Sequence, residues 1–83
     1  MMNFSEKQLV ELPLRQNAKS LLIYLRNYTR NNPSATGWYV FGKNELALSM
    51  GWLVADTTQA AFDLDSLGLI KVGDDGYALR VKI

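Results

Sequence analysis

Residues 54–70 read VADTTQAAFDLDSLGLI and hold three aspartates, two threonines and a glutamine, with no lysine or arginine. Closely spaced carboxylates are the raw material of general acid–base pairs and of divalent-cation cages, provided that their oxygens converge. On a helix Asp63 and Asp65 point about 200° apart. Asp74 and Asp75, as chain neighbours, also project differently. The chain has no histidine and no cysteine, which removes the imidazole base, the thiolate nucleophile, the disulfide framework and the Cys/His zinc cage. It has no GxxxxGK phosphate loop either. The expectation is a protein that is not an enzyme and carries no metal or cofactor, so the chemistry to look for is recognition.

A chain of 83 residues has room for one domain, near the size at which a core alone can hold a fold, with roughly 60–65% of the unfolded surface buried. Apolar residues make up 48% of it, enough for that core. No apolar run reaches 18 residues, and the opening MMNFSEKQLVELPLRQ lacks a basic head followed by an apolar stretch, so a cytoplasmic protein without membrane insertion is expected. The net charge of +1 is too small for strong unspecific attraction to a polyanion. Its distribution is more telling. Residues 1–43 carry six basic and two acidic side chains, residues 44–70 four acidic and no basic ones, and residues 71–83 three basic and two acidic.

Those charges must be positioned by a few short elements. Residues 1–13 form an extension in which Ser5 and Gln8 fit a capping box, predicting a short helix over 6–12 that Pro13 stops. Leu14, Ala18, Leu21, Leu22, Leu25 and Tyr28 recur at steps of three and four, predicting an amphipathic helix over 14–29, with Arg15, Lys19, Arg26 and Arg30 on its flank or far side. Ile23 projects from the polar side and has no place in that core. NNPSATG reads as a loop and WYVF, 38–41, as a short strand. A second helix is predicted over 43–50, with Gly42 as N-cap, Glu45 in the first turn and Leu46, Ala47 and Met50 facing inward. Gly51 provides the exit, and Trp52 returns to the core. In the third helix Asp56 and Gln59 suggest a capping box, hence a start at Asp56. Thr57, Ala60, Ala61, Leu64 and Leu67 share its inward face, and Gly68 closes it. LIKV, GDDG and YALRVKI then predict a hairpin, with Tyr77, Leu79, Val81 and Ile83 on one face and Ala78, Arg80 and Lys82 on the other.

ELALSMGW and LDSLGLIKV, with the spacing from Gly51 to Gly68, resemble the second helix, turn and helix-to-wing junction of the winged helix-turn-helix superfamily. QNAKSLLIYLRNYTRNN is similar to the leading helix of the phage and plasmid replication-type members. The resemblance covers residues 14–83 and implies an α+β winged helix-turn-helix domain: a three-helix core, a short strand and a C-terminal β-hairpin wing. It says much about fold and little about function, because the scaffold serves regulators, replication initiators and protein-binding modules alike.

It also implies that the third helix is presented outward as a reader of double-stranded DNA, for regulation or replication. Thr57, Thr58, Gln59 and Phe62 are the reading candidates: an amide that pairs with adenine, hydroxyls for base edges or phosphates, and a ring for a thymine methyl. Lys43, Lys71, Arg80 and Lys82 are the phosphate candidates, with Arg15 and Lys19 on the first helix. Three aspartates about 7 Å from phosphate oppose binding by roughly 2 kcal/mol before screening. That is comparable to one good base contact, about 1–3 kcal/mol. Because a single module with few base contacts binds weakly, a homodimer or a protein partner is expected. The competing expectation is a protein-binding module that uses Ile23, Val54, Ala55 and Phe62, apolar side chains with a polar rim.

Overall fold

The computed structural model describes residues 15–83. The predicted helix over 6–12, and Leu14, lie outside the described residues. Helix α1 spans Gln16–Asn31 and buries Ala18, Leu21, Leu22 and Leu25, the stripe that the three- and four-residue steps predict. Asn32 ends it, donating both its backbone N–H and its side-chain amide to the carbonyl of Tyr28, and Pro33 follows.

Strand β1 (Trp38–Gly42) leads into α2 (Lys43–Met50), with Gly42 at the N-cap and Glu45 in the first turn, as expected. Helix α3 (Val54–Ser66) buries Thr57, Ala60, Ala61 and Leu64. Both α2 and α3 finish through one device. Gly51 and Gly68 each take φ +72°, and the pairs Gly51 to Leu48 with Trp52 to Ala47, and Gly68 to Asp65 with Leu69 to Leu64, close the last carbonyls. The left-handed conformation that this closure needs is the one that glycine adopts without a side-chain penalty.

Strands β2 (Lys71–Asp74) and β3 (Ala78–Lys82) form the C-terminal hairpin, and β1 pairs with β3, giving a three-stranded antiparallel sheet of order β1-β3-β2. The architecture is α+β: three helices, a short strand and the hairpin. One face of the sheet supplies Phe41, Leu79 and Val81 to a core shared with Leu21, Leu25, Leu46 and Leu64. Tyr28 sits over this junction, 5.0 Å from the Phe41 ring and 5.9 Å from that of Tyr39. None of the described helices is long and apolar enough to cross a membrane.

Three expectations need correction. Helix α3 begins at Val54, two residues before Asp56: Leu53 is extended and serves as N-cap without a side-chain bond, and Asp56 lies in the first turn. A carboxylate there still faces the positive end of the helix dipole. Leu67 is 48% exposed, because the chain reverses at Gly68 before that position completes the inward stripe, and Ile70 enters the core instead. Tyr77 is 93% exposed. It precedes β3 inside a turn held by Asp75 N–H to Ala78 and Gly76 N–H to the Asp74 carboxylate, so strand alternation does not govern it.

Candidate nucleic-acid interface

The reading residues on α3 divide. Thr57 is 1% exposed and its hydroxyl donates to the Leu53 carbonyl at 3.0 Å, so it belongs to the core and cannot reach a groove. Thr58 and Phe62 are half-buried, and Ala55 and Gln59 are exposed. The Gln59 amide donates to Asp63 Oδ1 at 2.9 Å. An exposed pair four residues apart contributes about 0.2–0.5 kcal/mol, less than a bidentate base contact, so this bond does not close off Gln59. Charge is the larger obstacle. Residues 44–70 hold four acids and no base. Beside them, Arg15 approaches Asp63 at 3.9 Å with its own side chain 74% exposed, a pairing that contributes little in water. The depression between α1 and α3, lined by Arg15, Asn17, Asp56, Gln59, Ala60 and Asp63, holds about 50 Å³, against several hundred for a small-molecule pocket.

Lys43 is spoken for. Its ammonium lies 2.7 Å from Asp74 Oδ1, and its backbone N–H donates to the Tyr77 carbonyl. Together these bonds pin the hairpin turn to the start of α2. The Lys43 hydrogen bond, and then that from the Gly76 N–H, hold the Asp74 carboxyl below the ordinary aspartate range. Lys43 is therefore a structural contact and leaves the phosphate set.

The other three phosphate candidates come together. Register pairs Lys71 with Lys82, Gly73 with Arg80, Trp38 with Lys82 and Val40 with Arg80. Because Leu79 and Val81 point into the core, alternation sends Lys71, Arg80, Lys82, Trp38 and Val40 to the opposite face, away from the helices. The Arg80 guanidinium lies 5.6 Å and the Lys82 ammonium 5.8 Å from the Trp38 ring centre. Among the described residues no carboxylate pairs with Lys71, Arg80 or Lys82. Two like charges about 7 Å apart repel by about 0.6 kcal/mol in water before screening. Each exposed cation–π contact contributes about 0.5–1 kcal/mol, enough to hold the cations in place without neutralising them. The Trp38 backbone is itself anchored, its N–H donating to Thr36 Oγ1 and its carbonyl accepting from Ser34 Oγ at 2.8 Å.

Sequence reasoning overlooked Trp38 and Val40. An aromatic, β-branched run reads as strand material, and only the pairing with β3 shows which of its residues meet the cations. Around the α2–α3 turn Leu48 is 80% and Leu53 73% exposed, with Val54 next in the chain. Of the four residues expected for protein binding, Ile23, Val54 and Ala55 are exposed and Phe62 is half-buried. Compared with models of protein families, with curated proteins and with solved structures, the chain finds no match in any of the three. What is shown of the winged-helix resemblance is therefore topology: three helices followed by an antiparallel hairpin.

Proposed function

We propose that this chain is a small DNA-binding protein that grips the phosphate backbone with the outer face of its sheet, in the regulation or replication setting that the winged-helix resemblance implies. One observation carries the reading: Lys71, Arg80 and Lys82 share a face, and none of them pairs with a carboxylate among the described residues. Such an array is the electrostatic footprint of a polyanion site. Helix α3 becomes a secondary element, because its acids oppose phosphate approach and the free cations lie on the other side of the fold.

Three phosphate contacts give modest affinity, so a homodimer or a protein partner supplies the rest. The exposed Leu48, Leu53 and Val54 around the α2–α3 turn support a second reading, in which this acidic, apolar corner docks a protein. Anisotropy of a short labelled DNA at low salt tests the first reading. Replacing Lys71, Arg80 and Lys82 together by glutamine should flatten the salt dependence by about 0.7–0.9 unit of slope per cation and cut affinity at least tenfold. Gln59→Ala should leave affinity nearly intact. Wild-type protein that binds no DNA at low salt would leave the protein-docking reading in possession.

A further inference from the structure

We infer that the strand held on this face is single-stranded DNA, with a base stacked at Trp38 and phosphates on Arg80, Lys82 and Lys71. The inference rests on the phosphate-binding reading above and adds the form of the ligand.

Shape separates the two forms. Reading a duplex requires an element slim enough to enter a groove, and the major groove, about 12 Å wide, admits one helix or a two-stranded ribbon. The cations here lie on the broad side of a three-stranded sheet, with no helix projecting between them. The floor is low beside Arg80, where Gly73 faces it across the strand pair, whereas the Glu45 carboxylate covers Gly42 at the end of β1. A Cβ added at Gly73 would first meet the Arg80 Cβ at 3.9 Å, so nothing rises above the backbone there. Glycine within a strand marks a bulge, a bend or a place where a ligand or another backbone approaches closely, and β2 is paired regularly with β3 through Gly73.

Chemistry points the same way. Proteins that hold single strands combine cations along the backbone path with aromatic rings that take unpaired bases, and a duplex keeps its base faces stacked out of reach. Here an indole lies among the cations, its backbone fixed at both N–H and C=O. Arg80 and Lys82, two residues apart on one strand, stand about 7 Å from each other along β3. That is close to the separation of neighbouring phosphates on an extended strand. Val40, 69% exposed, offers an apolar surface beside them for the next base.

Labelled oligo-dT and a duplex of equal length, titrated under one low-salt buffer, test the inference. The single strand should bind at least tenfold more tightly. Its affinity should fall with a salt slope of about −2 for three contacts, roughly 20-fold between about 50 and 200 mM. Trp38→Ala should cost about tenfold on oligo-dT, and Trp38→Phe should retain most of the binding. Since Trp38→Ala also removes a packed side chain, far-UV circular dichroism checks its fold, and a second readout avoids that substitution. In a Trp52→Phe background Trp38 is the one remaining indole of the two in the chain, and its fluorescence should be quenched as oligo-dT is added. A duplex bound as tightly as the single strand, or an indole that oligo-dT leaves unquenched, overturns the inference while the phosphate reading stands. Failure of both DNA forms to bind overturns the phosphate reading itself.

Discussion

Thr57 and Thr58 are chain neighbours with opposite fates, and the difference is one step of 100° around a helix. Thr57 is sealed in the core with its hydroxyl on the Leu53 carbonyl, whereas Thr58 is half-buried on the flank. Thr57→Ala should therefore destabilise the protein by about 1–2 kcal/mol, through a lost buried methyl group and a lost hydrogen bond. Thr58→Ala should stay within about 0.5 kcal/mol. Urea denaturation resolves that difference. Gly51 gives a backbone test of the same kind: an added Cβ meets no atom within 4 Å, so the whole cost of Gly51→Ala lies in the left-handed φ of +72°. About 1–2 kcal/mol is expected, again from the shift of the urea midpoint at constant slope.

Between elements, the ion pair of Lys43 with Asp74 joins α2 to the hairpin. Its effect on stability has a definite sign with pH. The Asp74 carboxyl is held below its ordinary range in the folded chain, first by Lys43 and then by the Gly76 N–H. Its contribution is therefore fully present above the unfolded value, about 4, and is lost as pH falls through the lowered folded value. Asp74→Asn should lower the thermal midpoint at neutral pH and weaken its fall on acidification below about pH 4. An unchanged acid profile would mean that other carboxylates set it. Periodicity made the elements legible: the apolar steps of α1, the extent of α2 and the glycine exits all stand where the residues suggest. The start of α3 was not legible, because a favourable capping pair at Asp56 and Gln59 competes with an extended Leu53 that no side-chain signal marks. The sheet face was half legible. Alternation put Arg80 and Lys82 together, but joining Trp38 and Lys71 to them takes the register of β1 and β2 against β3, which residues distant in the chain decide.

At the scale of the whole molecule, the charge blocks of the sequence become two sides of one body. The acidic stretch 44–70 forms α2 and α3, and the last basic block arms the outer sheet face, with a shared core between them. That separation moves the nucleic-acid hypothesis from a helix to a sheet. On the proposed reading, the exposed Leu48 and Leu53 corner lies outside the DNA face. Leu64, fully buried at the centre of α3, couples the two sides, and Leu64→Ala should cost about 2–5 kcal/mol, lowering the thermal midpoint of the entire domain in one transition. The proposed DNA face is tested directly by amide chemical shifts of isotope-labelled protein during titration with oligo-dT and with duplex. The expected result is a set of shifts concentrated at Trp38, Val40, Lys71, Arg80 and Lys82, with Thr58, Gln59 and Phe62 little changed. Shifts confined to α3, with the sheet silent, would contradict it.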